Sequence, residues 1–340
     1  MGPAYFLYKS KKLMKSIDAI SKRRSTLWRM LCNISIVLGA GLMVSAVYIL
    51  VNNILTSSSQ QGIATRLFLV IPGITIRLYW LPYFLIAGMI IVVTHEVAHG
   101  IAARLEEVPI VSAGIALALV FPGAFVEPDE KKFEEAPAAS KLRIVAVGSA
   151  TNLVTGLLVF LLWSTLFTSA GIVILETTKG GPLERAGLGR WDTISAINGS
   201  KILNDSALED YMGNVNVGDT LILETNKGNI PITTVNGSEG QAIVGLTYFW
   251  NYFSCKPLGP ILSVQLYTTL SWMLLLAVSM SVFNMLPLYP FDGDKFFYYA
   301  LGKVVKKGLR EIRILTSVIC LGLMATTLLL SFIRYGLLSI

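Results

Sequence analysis

Long apolar runs alternate with charged or turn-rich stretches along this chain. A run of about 20 apolar residues is what a helix needs to cross the hydrocarbon of a bilayer. Five runs meet that length: residues 31–50, 81–103, 144–167, 266–286 and 314–332. No charge falls inside the first. The segment before it carries Lys9, Lys11, Lys12, Lys15, Lys22, Arg23, Arg24 and Arg29 against one acid, Asp18. That is too long and too basic for a cleaved signal, so the run is expected to stay as an anchor helix with its N-terminal side in the cytoplasm. Alternation then places residues 52–80 and 169–252 outside, and 104–143 and 292–313 inside. The last of these loops holds Lys295, Lys303, Lys306, Lys307, Arg310 and Arg313, which agrees with the positive-inside rule.

Two regions do not read as simple helices. Residues 68–81 (FLVIPGITIRLYWL) show β-branched alternation around a Pro-Gly pair, and residues 109–126 (PIVSAGIALALVFPGAFV) are apolar but broken by Gly114, Pro122 and Gly123. Both are expected as strands or hairpins dipping into the membrane, with a short extra helix as the alternative for the second. Backbone at that depth must be covered by protein or by a water-filled cavity. Between residues 171 and 248 the texture changes to short apolar runs separated by Gly180-Gly181-Pro182, Asn198-Gly199 and Asn236-Gly237. That pattern predicts a small β-rich soluble domain with one or two helices.

Composition supports this reading. Of 340 residues, 54% are hydrophobic and 14% charged, with a mean hydropathy of +0.64. An ordinary soluble domain carries about 25% charged residues, so a soluble enzyme and a disordered chain are both excluded. The net charge of +7 collects at the N-terminal segment and near residues 303–313, which argues against a nucleic-acid partner. Cys32, Cys255 and Cys320 are widely spaced and form no thiolate metal motif.

The chemistry concentrates at one place. The only two histidines are His95 and His99, in IVVTHEVAHG. Four residues apart on a helix, they share a face and can reach one metal ion, with Glu96 beside them. Ionisable groups in a spanning helix cost about 2.5 to 3.5 kcal/mol each for Asp, Lys or Arg, and a divalent cation compensates a cluster of them. Zinc suits imidazole with oxygen. With no third histidine, the third ligand is a carboxylate or, failing that, a cysteine. Asp292 in FNMLPLYPFDGDKFF leads: it follows a span that Pro287 and Pro290 interrupt, and Gly293 after it permits a sharp turn. Asp294 is the rival, beside Lys295, and reads more like a solvated interfacial charge. Two core histidines bonded to backbone are the plain alternative to a metal site.

These residues resemble the site-2 protease family of intramembrane zinc metalloproteases, whose pattern is HExxH on one core helix and NxxPxxxxDG on another. The chain has HEVAH from His95 to His99 and NMLPLYPFDG from Asn284 to Gly293. A GxxxN pattern also occurs in the family, and GSATN from Gly148 to Asn152 matches it, though small residues also serve helix packing. GGPLERAGLGRWDTISAINGSKI resembles the PDZ modules of proteases, with Trp191 where their pattern has Gly before Asp192.

The resemblance implies a multi-pass α-helical membrane protein of five or six transmembrane helices, with membrane-embedded β-hairpins and an inserted PDZ-like domain. Its expected parts are a basic cytoplasmic segment (residues 1–30), a first membrane domain (31–168), the PDZ-like domain outside (171–248) and a second membrane domain (260–340). It further implies Zn2+ on His95, His99 and Asp292, Glu96 as general base, and Asn284 with Asn152 as hydrogen-bond donors to the substrate. The implied partners are the lipid bilayer and a transmembrane helix of a membrane-protein substrate, in a cell membrane with the site toward the cytoplasm. The broken regions 68–81 and 109–126 would receive the unwound substrate by strand addition. Three alternatives stand beside this reading: a membrane-anchored zinc peptidase acting on exposed peptides, a metal transporter, and an inactive scaffold displaying the PDZ-like module.

Overall fold

The protein is described by a computed structural model covering residues 5–23, 25–57, 75–118 and 121–335. Along the chain run β1 (Tyr5–Lys9), α1 (Lys11–Lys22), α2 (Ser25–Ser57), a 3-10 turn (Leu78–Trp80), α3 (Leu81–Leu105), β2 (Ile110–Ala118), β3 (Phe121–Pro128), α4 (Glu130–Glu135) and α5 (Ala138–Leu166). There follow β4 (Thr168–Thr177), α6 (Pro182–Arg185), β5 (Thr193–Ile197), β6 (Ser200–Lys201), α7 (Asp205–Met212), β7 (Thr220–Thr225), β8 (Gly228–Thr233), β9 (Val235–Asn236), β10 (Ala242–Ile243) and β11 (Leu246–Ser254). The chain ends with α8 (Pro260–Phe283), α9 (Asp292–Leu301) and α10 (Leu309–Tyr335). Among the described residues five helices are long and apolar enough to cross a membrane: Ser25–Thr56, Leu78–Leu105, Ala138–Leu166, Pro260–Phe283 and Leu309–Arg334. Each contains most or all of one run expected from the sequence.

Contacts divide the chain into two compact units, one of Met1–Val159 with Trp272–Ile340, the other of Phe160–Ser271. In the first, the 109–126 region is a hairpin: β2 pairs antiparallel with β3, Gly114 opposite Phe125 and Ala116 opposite Gly123. Of the expected strand at 68–81, Ile76 forms a single β-bridge, while Leu78–Trp80 is corrected to a 3-10 turn leading into α3; residues 68–74 lie outside the described residues.

The basic N-terminal segment carries structure that its charge conceals. β1 pairs antiparallel with β2, Tyr5 opposite Ala118 and Lys9 opposite Gly114, completing a three-stranded sheet of order β1-β2-β3. β2 therefore has no free edge, and the open edges belong to β1 and β3. Helix α1 starts at the N-cap Ser10, whose side chain accepts from Leu13 N–H at 3.2 Å. Leu13, Met14, Ile17 and Ser21 form its inward stripe, and Ile17 is fully buried on α3, where a Cβ placed on Gly100 would lie 3.0 Å from its Cδ1. Asp18, the one acid of the segment, pairs with Arg104 Nε at 2.6 Å.

The second unit contains a sheet of order β11-β4-β5-β7-β8, antiparallel throughout, with β6 on β5. Its core is built from Ile172, Ile174, Leu183, Ile194, Leu208 and Leu223 among others. Trp191 takes φ 75°, in the left-handed region that a glycine enters at no steric cost. Asp192 after it is buried and accepts from Gly189 N–H at 2.9 Å, Asn226 Nδ2 at 3.1 Å and Lys227 Nζ at 2.8 Å.

If α1 is an integral part of the first unit, Ile17→Ala should cost about 2 kcal/mol or more through the cavity it leaves. A thermal-unfolding series on the purified protein should show a lower midpoint, and a midpoint equal to wild type would mean that α1 is not docked.

Candidate metal centre

Helix α3 presents His95 and His99 on one face, with ring centroids 4.6 Å apart, and Glu96 one residue round the helix. Asp292 arrives from a separate helix. Helix α8 ends at Phe283, an irregular stretch follows, and Asp292 is the first residue of α9. The return is tight: Gly293 N–H donates to Asn284 carbonyl at 2.8 Å. A Cβ on Gly293 would lie 2.3 Å from Leu286 O and from Met285 C and O. Gly293 is therefore required by backbone approaching backbone, which refines its expected role as a turn residue.

The donor atoms converge. His95 Nε2 and His99 Nε2 are 3.0 Å apart, and Asp292 Oδ2 is 3.2 Å from each. Tetrahedral ligands about 2.0–2.1 Å from one ion stand about 3.3 Å from one another, so the triangle has the dimensions of a metal site. The hydrogen-bond chemistry agrees. His99 Nδ1 lies 2.6 Å from the Ile144 carbonyl, which can only accept, so the proton sits on Nδ1 and the Nε2 lone pair faces the Asp292 carboxylate. With the ring neutral, two acceptors at that distance need a proton or a metal ion between them. On the other ring, the Asn152 carboxamide reaches His95 Nδ1 at 3.2 Å while its Oδ1 has no partner. Turned over, the amide lets that oxygen accept the Nδ1 proton, and the Nε2 lone pair of His95 joins the other two donors.

Helix α5 makes the room. A Cβ on Gly148 would lie 2.4 Å from His99 Nε2 and 2.7 Å from His95 Nε2, against both imidazole donors. The GSATN stretch thus contributes a vacancy at Gly148 and an amide at Asn152, more than the helix packing it also fits. Asn284 Nδ2 lies 3.0 Å from His95 Nε2 and 3.3 Å from Asp292 Oδ2. Glu96 stands at the rim: its Oε2 accepts the Val126 N–H of β3 at 2.9 Å. It lines, with His99, Glu127, Glu130, Asp292 and Lys295, a cavity of about 380 Å³.

Asp294 is a correction. Expected as a solvated charge, it is 2% exposed and bound at both oxygens by Arg313, Nε to Oδ1 at 2.8 Å and Nη2 to Oδ2 at 2.5 Å. Sequence reasoning also missed Val126 N–H and the Ile144 carbonyl, because main-chain groups leave no mark on residue type. On the far part of α9, Tyr299 O–H donates to Glu134 Oε1 at 2.5 Å; burial and that carboxylate push the phenol well above its ordinary pKa.

Comparison with known proteins gives three results. The family model for peptidase family M50 matches residues 83–327. An uncharacterized protein of Methanocaldococcus jannaschii is 25% identical over 304 residues, covering 86% of this chain and 76% of that protein. The PDZ domain of the SdrC-like protein from Listeria monocytogenes is 21% identical, covering 24% of this chain and 88% of that domain, with a TM-score of 0.22. Since the family match takes in α3, α5 and α9, and with them every residue of the cluster, the chain belongs to peptidase family M50, the site-2 protease family of metallopeptidases.

Proposed function

We propose that this metallopeptidase is a zinc-dependent endopeptidase that hydrolyses a peptide bond within or near a transmembrane helix of another membrane protein. The observation that carries the reading is the meeting of two imidazoles and one carboxylate at 3.0–3.2 Å, with both imidazoles on a helix apolar enough to span a membrane. His95, His99 and Asp292 would hold the ion, which supplies Lewis acidity that polarises the scissile carbonyl and acidifies water.

The chain's own groups do the rest. Glu96, at the wall of the cavity beside His99, takes a proton from the attacking water and returns it to the departing amine nitrogen. The Asn284 Nδ2 group is a donor next to the cluster and suits the developing oxyanion. Asn152 holds the His95 ring through Nδ1.

A substrate helix hides its carbonyls in its own ladder and must be unwound before attack. Strand β3 offers the unwound stretch a partner. Val126 N–H points to Glu96, away from β2, so by strand alternation the N–H and C=O of Ala124 lie on the same edge, the one that β2 does not pair. An extended segment added there runs beside the general base. The basic segments at both ends of the first unit support a cell-membrane setting with N-terminus and site toward the cytoplasm and the PDZ-like module outside.

Three outcomes test this. Glu96→Gln should retain about one zinc per chain while cleavage of a single-span substrate falls at least about 100-fold; near-normal cleavage would refute the assignment, and zinc flux without cleavage would favour a transporter. Gly148→Val should lose the zinc, because the added carbons press against both imidazole donors, and elemental analysis showing stoichiometric metal would count against the site. Ala124→Pro removes an edge N–H that the ladder with β2 does not use, so zinc should stay and cleavage should drop; unchanged turnover would exclude strand addition at this edge.

A further inference from the structure

We propose that Asp294 and Arg313 are a positioning pair for Asp292, fixing the rotation of α9 so that its first residue stays on the two histidines; this rests on the zinc reading above. The carboxylate of Asp294 is gripped at both oxygens by the guanidinium of Arg313 from α10, and the Arg313 Cζ lies 4.9 Å from the centre of the Tyr298 ring. A planar fork on a carboxylate fixes direction as well as distance. Neither group reaches the metal cluster, and Asp294 does not cap its helix: Phe291 at the N-cap makes no side-chain capping bond.

Geometry connects the pair to the ligand. Two residues along an α-helix are about 200° apart, so the fork holds α9 on the side away from Asp292. A side-chain carboxylate lies about 5–6 Å from a helix axis, so a rotation of about 10° moves it by about 1 Å. Ligand distances in a metal site tolerate about 0.2 Å. Rotation of α9 must therefore be held tightly. Gly293, pressed on Met285 and Leu286, fixes how closely α9 approaches the preceding loop but offers no side chain to stop it turning. Tyr299, bonded to Glu134, steadies the later part of the helix, two turns from the ligand. Within the first turn of α9, Gly293 N–H and Asp292 are each bonded once to Asn284, and the Arg313 fork adds a two-point grip on the opposite side of the helix.

The experiment uses purified full-length protein stripped of metal, with zinc affinity measured by competition against a chromogenic chelator and Co2+ loading followed by its visible spectrum. Arg313→Met should weaken zinc binding at least about tenfold, the range seen when outer partners of ligands are removed. Because that variant strands a buried carboxylate, the decisive protein is Asp294→Leu with Arg313→Met, which leaves no unpaired charge and should fold as well as wild type. The proposal expects this double variant to match the wild-type apoprotein in thermal midpoint, yet to bind zinc about tenfold or more weakly and to show altered Co2+ bands. Arg313→Lys, with charge but no fork, should lie between. Wild-type affinity and spectrum in the double variant would make the pair merely structural and overturn the proposal alone. Failure of the wild type to bind zinc stoichiometrically would overturn the metal reading and this proposal together.

Discussion

Two imidazole lone pairs and a carboxylate oxygen, turned toward one another inside an apolar helix bundle, repel unless something positive lies among them. His99 makes the constraint sharp, since the Ile144 carbonyl takes its only neutral-state proton and leaves Nε2 bare toward Asp292. A proton in that space would relieve one pair of acceptors; a divalent ion relieves all three. Much of the surrounding structure follows from keeping such a space open. α5 contributes a glycine where any side chain would intrude, α3 sets the two rings one turn apart, and the loop after α8 doubles back so that a new helix can begin at the acid.

The side-chain part of this site is legible in sequence because it is carried by scarce residue types at fixed spacing. The chain has only two histidines, four apart, and Asp292 sits behind a proline-broken helix end. The five long helices are equally legible, since their runs stay predominantly apolar over the length a bilayer requires. Features that depend on what is absent or on the main chain were not. Gly148 looks like any small residue of a helix interface until a Cβ placed on it is found to collide with two imidazoles. Val126 engages Glu96 through an N–H that every residue but proline has.

Charge hid structure at one place and misled at another. In the segment before α2 the lysines mark only a basic cytoplasmic stretch, yet Ser10, Leu13, Met14 and Ile17 form an N-cap and an inward stripe at helical spacing, and the lysines stand on the outer face. In DGDK, the neighbouring Lys295 made Asp294 look like a surface charge, whereas its partner is 19 residues away on another helix. Local sequence reports the neighbours of a charge along the chain; burial is decided by neighbours in space, and a long-range ion pair leaves no local pattern.

The small sheet shows how backbone chemistry constrains the surroundings of the cluster. A bare strand edge is intolerable in hydrocarbon, because unpaired N–H and C=O groups find no water there. The hairpin's β2 edge is closed by β1, from the chain's own N-terminal segment, which leaves β3 as the edge beside the cluster. In a membrane that edge would need cover from lipid, and the site cavity, lined by Val126 and four acids, adjoins it and offers polar surroundings. In the proposed reading the same wetness serves hydrolysis, since the reaction consumes water. The strand edge and the catalytic chemistry thus impose a common requirement, a polar pocket within an apolar bundle, and one pocket beside β3 meets both.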